Sequence, residues 1–323
     1  DIVTGEYNQE NTYDFSHTTV RELKSNSFSS FIMSRTKIDW SKYDLAIFSG
    51  NRPQFTLWNP LPIPTIRYCH SPVRTFWSLR DRDFRDASIE KKLLRVIAGP
   101  VLRQLDAEFA TRHSKIVTNS HNIRNQVDRY YGLDSEVLYP PVDTKKYFFK
   151  KSENYWLSVN RIAPKKRLKE QIKAFRGTDQ NLKIVGGFDD LYEDYGKDIR
   201  DLVEDTDNIS ILGFVSDKEL RSLYARCKGV IYIPYFEDFG IVPVEAMASG
   251  KPVLTVGEGG TLETVQDTFT GWVVSPDPHE INSIICSDFS GGDFRHNCKE
   301  FSKKFDVRNF SSQLKSIIKS TIN

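Results

Sequence analysis

Two glutamates eight positions apart, Glu237 and Glu245, are the residues of this sequence whose type and spacing point most directly to chemistry. A short, β-branched apolar run over 229–234 predicts a buried parallel strand that ends just before Glu237. The pattern then becomes helical over 241–249 and places Glu245 in that helix. Ligands bind at this edge of an open α/β sheet, beside the free amides of a helix start. Carboxylates at such a place suit hydroxyl groups better than phosphates, so we predict that both glutamates bind hydroxyls.

The main chain between the two glutamates is predicted to contact the same ligand, through Phe239, Gly240 and Ile241. Two other interpretations of the glutamates stay open on these residues alone. In one, Glu237 caps the helix and Glu245 is a solvated helix residue. In the other, they are the carboxylate pair of a retaining glycosidase, which requires a separation of about 5 Å. Companion motifs elsewhere in the chain are needed to choose between them.

A second motif places two cations at another strand end. A predicted strand near Trp156 is followed by a turn and a basic helix start, in which Arg161 and Lys166 lie five positions apart. Fixed cations stabilise a phosphate group that gains negative charge as it departs. The alternative is a solvated basic helix face, because the segment forms one charge cluster. Its members are Lys165, Lys166, Arg167, Lys169 and Lys173.

Two turns that contain glycine follow further predicted strands. Gly213 and Phe214 precede a helix whose start carries a capping box, and Phe214 is either a core aromatic residue or a stacking surface. Gly259 and Gly260 follow a predicted strand over 252–256, and glycines allow backbone amides to approach a sugar or a phosphate closely. The second turn is not a P-loop, because no Gly-Lys-Ser/Thr sequence follows it.

The amino-terminal half contributes a histidine at a strand end. A β-rich run delivers His70 to that end, where Ser71 and Pro72 break the strand pattern and Arg74 follows. A lone histidine is more often a surface or core residue than a functional one. The segment therefore gains its meaning only from the other motifs.

Together these motifs resemble the retaining, nucleotide-sugar-dependent glycosyltransferases of family four, also described as glycosyl transferases group 1. The Glu-x7-Glu pair, the Arg161 and Lys166 spacing and the His-Ser-Pro-x-Arg segment carry the resemblance, which covers roughly residue 44 to the carboxyl end. Asn160 departs from the pattern, because the family usually has glycine there. The resemblance implies an α/β fold of the GT-B type, with two Rossmann-like domains that face each other across a cleft.

The resemblance also implies a role for each site residue. Arg161 and Lys166 hold the donor diphosphate, Glu245 binds the ribose, and Glu237 and His70 face the donor sugar. The predicted catalytic residues are His70, Glu237, Arg161 and Lys166. The predicted donor-binding residues are Arg161, Lys166, Gly213, Phe214, Glu237, Phe239, Gly240, Ile241 and Glu245, with Arg74, Gly259 and Gly260 as further candidates.

The implied reaction transfers a hexose from a GDP- or UDP-linked donor to a hydroxyl group of a glycan or lipid-linked acceptor, with retention and without a metal. Mannose from GDP-mannose is preferred, because the His70 segment and the Pro140–Asp143 link look like those of mannosyltransferase-like members. No cofactor besides the nucleotide sugar is expected. Two alternatives stay open: a sugar-nucleotide epimerase of the same fold, and a non-catalytic nucleotide-binding partner subunit.

The domain prediction follows from alternating strand and helix patterns. Residues 1–145 form an acceptor-side Rossmann-like domain, and residues 146–306 form the nucleotide-sugar-binding Rossmann-like domain. Residues 307–323 form a helix that in the family crosses back to the first domain. The first β-loop-α unit of the family is expected to be missing, because Asp1–Gly5 is typical of the second strand.

Two amphipathic helices, Ser88–Ala98 and Val101–Arg112, are predicted in the first domain. The first of them carries a basic and apolar pattern that suits either a membrane surface or packing against the domain. The basic residues are Lys91, Lys92 and Arg95, with Arg103 nearby, and the apolar residues are Leu93, Leu94, Val96 and Ile97.

Composition narrows the function classes. A chain of 323 residues suggests two domains, and 45 Lys and Arg against 43 Asp and Glu give no drive toward nucleic acid. Four cysteines without CxxC spacing favour a reduced, cytoplasmic location over a disulfide framework. No apolar run reaches the roughly 18 residues of a membrane span, so contact at the inner face of a membrane is the only membrane role considered.

Two Asp-x-Asp triplets, 81–83 and 205–207, have the pattern found in metal-dependent transferases. Both lie in charge-rich helical surroundings rather than after an apolar strand, so we interpret them as solvated faces. No set of His, Cys and carboxylate residues has metal-ligand spacing. The sequence therefore predicts no metal site.

Overall fold

A computed structural model describes residues 2–4, 20–22, 38–50, 60–78, 89–287 and 292–323 of the chain. Its strands are β1 (Ile2–Thr4), β2 (Val20–Glu22), β3 (Ala46–Ser49), β4 (Thr65–Cys69), β5 (Lys115–Thr118), β6 (Glu136–Val137), β7 (Trp156–Val159), β8 (Leu182–Val185), β9 (Ile209–Gly213), β10 (Val230–Tyr232), β11 (Val253–Val256) and β12 (Gly271–Val274). Its helices are α1 (Ile89–Ala110), α2 (His121–Tyr131), α3 (Leu168–Phe175), α4 (Glu193–Glu204), α5 (Asp217–Arg226), α6 (Ile241–Ala248), α7 (Thr261–Thr264), α8 (Pro278–Ile285), α9 (Gly292–Ser302) and α10 (Val307–Ile322).

The chain divides into two compact units. The first comprises residues 1–119, 123–137 and 315–323, and the second comprises residues 120–122 and 138–314. The first unit contains a parallel sheet in the order β3-β4-β5-β6 and a separate parallel pair, β1 and β2. Its buried core contains Cys69, Ala110, Ile116, Ile123, Val127 and Tyr131.

The second unit is built on a six-stranded parallel sheet in the order β9-β8-β7-β10-β11-β12. From β7 the chain adds strands on one side, and from β10 it adds them on the other. This is the strand order of a dinucleotide-binding Rossmann sheet. In such a sheet the side on which successive strands are added reverses between the two central strands. The predicted α/β class is confirmed, and the reversal defines where a ligand site is expected.

Two hydrophobic clusters cover the faces of this sheet. Successive side chains of a strand point to opposite faces of the sheet. On β10, Val230 and Tyr232 therefore belong to one cluster and Ile231 to the other. The first cluster includes residues of α5, α6 and α9, and the second includes residues of α3, α4 and α8. Near-continuous apolar strands are therefore explained by burial on both faces.

Helix α1 corrects one prediction. The structure has a single helix from Ile89 to Ala110 with Pro100 inside it, where two helices had been predicted on either side of Gly99 and Pro100. Proline removes its own N–H donor and crowds the carbonyl four residues earlier, that of Val96. Val96 and Pro100 are both exposed, so water can bind that carbonyl. Among the helices that the structure describes, none combines the length and the apolar character needed to cross a membrane.

The predicted last helix, residues 307–323, matches α10 to within one residue, and Asp306 precedes it. The Asp306 carboxylate accepts hydrogen bonds from the Arg308 amide at 3.0 Å, from the Arg308 side chain at 2.6 Å, and from the Thr144 hydroxyl. These contacts hold the pKa of Asp306 well below its usual range. Val142 also bridges to Asp306 through its backbone, so the predicted link after Pro140 is fastened to the second unit.

Candidate functional site

The reversal between β7 and β10 brings two predicted motifs together. The segment after β7 carries Arg161 and Lys166, and the segment after β10 carries Glu237. Both segments leave the carboxyl ends of adjacent parallel strands. Ligands of open α/β sheets bind in the crevice outside these ends. The fold thus makes neighbours of residues that are 71 positions apart in the sequence.

Lys166, Tyr232 and Glu237 form one hydrogen-bonded group, which we call the Lys166 cluster. The Lys166 Nζ donates to Glu237 Oε2 at 2.6 Å and to the Tyr232 hydroxyl at 3.3 Å, and the Tyr232 hydroxyl donates to Glu237 Oε2 at 3.0 Å. The two charged side chains are only 20% and 23% exposed. Burial, followed by the Glu237 charge, raises the pKa of Tyr232 far above its ordinary value. Tyr232 is therefore a permanent hydrogen-bond donor at neutral pH.

Contacts around Arg167 fix the position of Lys166. Lys166 ends a short 3-10 turn, and Arg167 follows in the left-handed region at φ 50°. The Arg167 guanidinium donates to both oxygens of Glu258, at 2.8 and 3.0 Å, and lies over the Tyr235 ring. The side chains of Lys166 and Arg167 are 20% and 13% exposed, so a solvated basic face is the wrong description for these two residues.

The glycine turn after β11 supports the segment that carries Glu237. The Gly260 amide donates to the Glu237 carbonyl at 2.7 Å, and Gly259 bridges to Glu237. A Cβ atom at Gly260 would lie 2.2 Å from the Asp238 carbonyl oxygen, and one at Gly259 would lie 2.4 Å from that of Glu237. The two glycines here allow two loops to approach each other, and their direct contact with a sugar or phosphate stays a prediction.

Arg161 extends from the same strand end into solvent. Its guanidinium donates to Asp189 Oδ2 at 2.8 Å, and the Arg161 side chain is 70% exposed whereas the Asp189 side chain is 9% exposed. Asp189 also accepts a hydrogen bond from the Leu191 amide at 3.1 Å. A fixed carboxylate therefore orients an accessible cation, as binding of an anion requires.

Glu245 lies on α6 with both carboxylate oxygens occupied by tyrosine hydroxyls. The Tyr147 hydroxyl donates to Oε1 and the Tyr224 hydroxyl donates to Oε2, each at 2.8 Å. Burial raises the pKa of Glu245, and the two hydroxyl donors oppose that effect. The interpretation of Glu245 as a solvated helix residue is wrong. The N-cap residue of α6 is Gly240, so Glu237 is not its capping acid either.

The turn before α6 presents backbone rather than side chains. The Phe239 side chain is 3% exposed and packs against Tyr139 and Phe305, whereas Ile241 at the helix start is 44% exposed. Gly240 has φ 94°, a left-handed conformation that glycine adopts readily. The first amides of a helix have no intrahelical acceptor, so those at the start of α6 can meet a ligand.

The end of β9 carries Gly213 in the left-handed region, at φ 67°, followed by Phe214. The Phe214 side chain is 87% exposed, so its interpretation as a core aromatic residue is wrong. Its ring lies against Gly187, where a Cβ atom would come within 2.2 Å of the ring. An exposed ring supported on one side is suited to stacking against a planar group.

In the first unit, His70 directly follows β4, as predicted. Its Nε2 lies 3.0 Å from the Ser49 hydroxyl oxygen at the end of β3, and its ring contacts the Tyr68 ring at 5.0 Å. Partial desolvation lowers the pKa of His70, which favours the neutral imidazole. Arg74 is half-buried in the following turn, where its carbonyl accepts a hydrogen bond from the Trp77 amide.

The Asp-x-Asp triplet 81–83 lies outside the described residues. In the other triplet, Asp205 and Asp207 are exposed, and Asp205 lies 3.7 Å from the Arg176 guanidinium. Within the described residues, no group of three or more His, Cys, Asp and Glu side chains is arranged to hold a metal ion. Cys227, Cys286 and Cys298 are free thiols.

Sequence reasoning missed three tyrosines of the site. Tyr232 had a signal, because a hydroxyl inside a buried apolar strand needs a hydrogen-bond partner. Tyr147 and Tyr224 had none, since they lie 98 and 21 positions from Glu245 and belong to no motif. Asp189, which orients Arg161, was missed for the same reason.

The chain matches a known protein family. The model of the family "Glycosyl transferases group 1" matches residues 141–305. The alpha-1,3/1,6-mannosyltransferase ALG2 of Dictyostelium discoideum is 27% identical in an alignment 331 positions long, which covers 86% of this chain and 76% of that protein. The protein of the same name from Saccharomyces cerevisiae is 31% identical over 263 residues, which cover 64% of this chain and 50% of that protein.

Solved structures share the fold. Sucrose-phosphate synthase from Thermosynechococcus elongatus superimposes with a TM-score of 0.79 at 18% identity and covers 96% of this chain and 84% of its own. Anabaena HepE, solved in complex with UDP and glucose, superimposes with a TM-score of 0.73 at 19% identity and covers 94% and 87%. The predicted GT-B fold class is thereby confirmed. The chain belongs to the glycosyl transferases group 1 family.

Proposed function

We propose that this chain is a retaining mannosyltransferase that transfers mannose from GDP-mannose to a hydroxyl group of a glycan or lipid-linked acceptor, without a metal ion. The observation that carries the proposal is the Lys166 cluster beside Arg161 at the reversal of a Rossmann sheet. It combines two cations for a diphosphate with a carboxylate for sugar hydroxyls. Glu245 on α6 completes the set as the acceptor for the ribose.

The proposed chemistry is substitution at the anomeric carbon of the donor. The bond from this carbon to the diphosphate oxygen breaks, and the bond to the acceptor oxygen forms on the same face of the sugar. The acceptor proton goes to the departing phosphate oxygen. Arg161 and Lys166 stabilise the charge that the diphosphate gains, and preorganised cations of this kind supply a large part of such catalysis. Glu237 orients the sugar.

The choice of mannose and of retention is supported by the relatives. Both ALG2 proteins are described as alpha-mannosyltransferases. Mannose is alpha-linked in GDP-mannose, so an alpha-linked product requires retention. The proposed metal independence is supported by the two cations, because they offer the neutralisation that a divalent ion would otherwise supply.

The first test is thermal unfolding of the chain in EDTA with GDP, UDP and ADP and with their sugar conjugates. A ligand at 100 times its dissociation constant adds about 2.7 kcal/mol of stability. We expect GDP and GDP-mannose to give the largest shifts. A shift with UDP or ADP instead would overturn the choice of donor, and no shift with any of them would overturn the donor site.

The second test supplies GDP-mannose together with mannose-terminated oligosaccharides. We expect an alpha-linked product by nuclear magnetic resonance of the anomeric proton and carbon. A beta-linked product would overturn retention. Conversion of the donor without an acceptor would indicate an epimerase, and binding without any turnover would indicate a partner subunit.

We also propose that the chain acts in the cytoplasm at the inner face of a membrane, through α1. Val96, Ile97 and Val101 on this helix are 59%, 68% and 57% exposed. Lys92 and Arg103 are half-buried, whereas the side chains of Lys91, Leu93, Leu94 and Arg95 lie outside the described residues. Exposed apolar residues near basic ones suit an anionic lipid surface.

Co-sedimentation with vesicles tests this contact. We expect the chain to sediment with vesicles that contain anionic lipid at low salt and to lose this binding when Val96 and Ile97 are replaced by serine. Failure of the original chain to co-sediment would remove the proposal.

A further inference from the structure

The carboxylate of Glu245 is held by two tyrosines from distant parts of the second unit. Tyr147 and Tyr224 each donate one hydrogen bond of 2.8 Å, to different oxygens of the carboxylate. The two rings contact each other edge to face, with centroids 6.1 Å apart. We call Tyr147 and Tyr224 the tyrosine clamp.

Both tyrosines are fixed by packing. Tyr224 on α5 is fully buried. Tyr147 packs against the hydrophobic cluster that contains Tyr224. The residues that follow it are fastened by Lys251, whose Nζ donates to the Lys150 carbonyl at 3.0 Å. The Phe149 ring packs under the same ammonium at 4.3 Å. The clamp therefore holds Glu245 in one orientation.

The clamp uses only part of the carboxylate. An ionised carboxylate offers about four acceptor positions on two oxygens, and the tyrosines occupy one position on each oxygen. One lone pair on each oxygen is left for further donors. Two adjacent hydroxyl groups, such as the 2′- and 3′-hydroxyls of a ribose, match this pair of acceptors.

The clamp also keeps Glu245 an acceptor. Burial raises the pKa of Glu245, and a protonated carboxyl group would lose one of its acceptor positions. The hydrogen bonds from Tyr147 and Tyr224 oppose this shift. Burial also raises the pKa of both tyrosines, so they stay protonated and remain donors.

We propose that Tyr147 and Tyr224 are positioning residues that make Glu245 selective for the vicinal hydroxyls of a ribonucleoside diphosphate over a 2′-deoxyribonucleoside diphosphate. The proposal rests on the proposed function, because it concerns the same donor site. It differs from a merely structural role in one measurable respect. A structural defect weakens the binding of both nucleotides equally, whereas loss of orientation at Glu245 weakens the ribonucleotide, which offers two hydroxyls, more than the 2′-deoxynucleotide, which offers one.

The test is isothermal titration of the full chain with GDP, 2′-deoxy-GDP, UDP and 2′-deoxy-UDP. The variants are Tyr147→Phe, Tyr224→Phe and Glu245→Gln. Tyr155→Phe is the matched control, because the buried Tyr155 hydroxyl donates to the Leu223 carbonyl on the same helix α5. Each phenylalanine variant removes one hydroxyl and keeps the ring.

We expect the unaltered chain and Tyr155→Phe to bind the preferred ribonucleotide at least about tenfold more tightly than its 2′-deoxy form, since a hydrogen bond to a charged group is stronger than one between neutral groups. In Tyr147→Phe, Tyr224→Phe and Glu245→Gln this ratio should fall below about threefold, because the ribonucleotide loses more affinity than the deoxynucleotide, which keeps only its 3′-hydroxyl.

Three results would overturn the inference and leave the proposed function in place. They are nucleotide binding by the unaltered chain without a ribose preference, an unchanged ratio in both tyrosine variants, and an equal loss of affinity for both nucleotides. Absence of nucleoside diphosphate binding by the unaltered chain would overturn the proposed function itself, and the inference with it.

Discussion

Glu237 and Glu245 are separated by eight positions, yet the structure gives them different surroundings. Glu237 lies in the segment after β10 and pairs with the ammonium of Lys166 at 2.6 Å. Glu245 lies on α6 and accepts hydrogen bonds from two neutral hydroxyls. One carboxylate is part of an ion pair, and the other is a desolvated acceptor held by dipoles.

The difference teaches what each position can do. An anion that approaches Lys166 interacts with a cation that also pairs with Glu237. The Lys166 ammonium can therefore stabilise negative charge that develops on this anion during a reaction. The tyrosine clamp carries no cation, so Glu245 suits uncharged hydroxyl groups. This difference supports the proposal that Glu237 binds the reacting end of a donor and Glu245 its nucleoside end. The following predictions test this division.

The largest expected effect is that of Lys166→Ala. The substitution removes a cation of the proposed diphosphate site and breaks the ion pair of Lys166 with the half-buried Glu237 carboxylate. We expect a loss in kcat of about hundredfold, or about 2.7 kcal/mol. Lys169→Ala is the control, because Lys169 belongs to the same basic segment but pairs with Asp198 at the surface. Steady-state kinetics measure both, and a loss below tenfold in folded Lys166→Ala contradicts the prediction.

The second prediction concerns the glycine turn after β11, which contacts the segment that carries Glu237. In Gly260→Ala the new Cβ would lie 2.2 Å from the Asp238 carbonyl oxygen, which forces the Glu237 segment to move. We expect a decrease of about 2 kcal/mol in the free energy of unfolding. In the control Gly257→Ala, the only neighbour of the new Cβ within 4 Å among described atoms is Val273 at 3.6 Å, so stability should change little. Equal urea midpoints for the two variants would refute this difference.

Glu237→Gln and Glu245→Gln compare the carboxylates directly. Loss of the charge at Glu237 breaks the ion pair with Lys166, so we expect mainly kcat to fall, by about tenfold or about 1.4 kcal/mol. The same change at Glu245 should mainly raise the KM for the donor, because it disturbs the proposed acceptor of the ribose hydroxyls. If both variants change the same kinetic parameter, the division of roles is incorrect.

The smallest effect is on the pH dependence of stability. Burial raises the folded-state pKa of Glu245 above its ordinary value of 4.5. The stabilisation from this group is fully present below the unfolded-state pKa and is lost as pH rises through the raised folded-state pKa. The stability of the unaltered chain should therefore decrease relative to Glu245→Gln as pH rises above about 4.5. Urea unfolding of both chains across this range measures the difference, which a constant offset would contradict.

Much of the second unit could be predicted from the sequence. Apolar strand runs bounded by glycine and proline gave the parallel sheet, and the capping box at Ser216 gave the start of α5, where the Ser216 hydroxyl accepts the Glu219 amide at 3.3 Å. The amphipathic pattern gave α10 to within one residue. These features are local, because they depend on side-chain period and on the chemistry of helix ends. The Pro100 signal failed, because one exposed proline does not end a long helix.

The sequence by itself determined which residue types stand at each strand end. Two cations, Arg161 and Lys166, follow β7, and the carboxylate of Glu237 follows β10, with a second carboxylate eight positions later on α6. Only the tertiary structure decided their partners. The strand order places Lys166 beside Glu237. The packing of α5 and of the segment after Thr144 places the hydroxyls of Tyr224 and Tyr147 within hydrogen-bond distance of Glu245. Partners of this kind are separated by 21 to 98 positions, and no local pattern records them, because they arise from the burial that brings distant elements together.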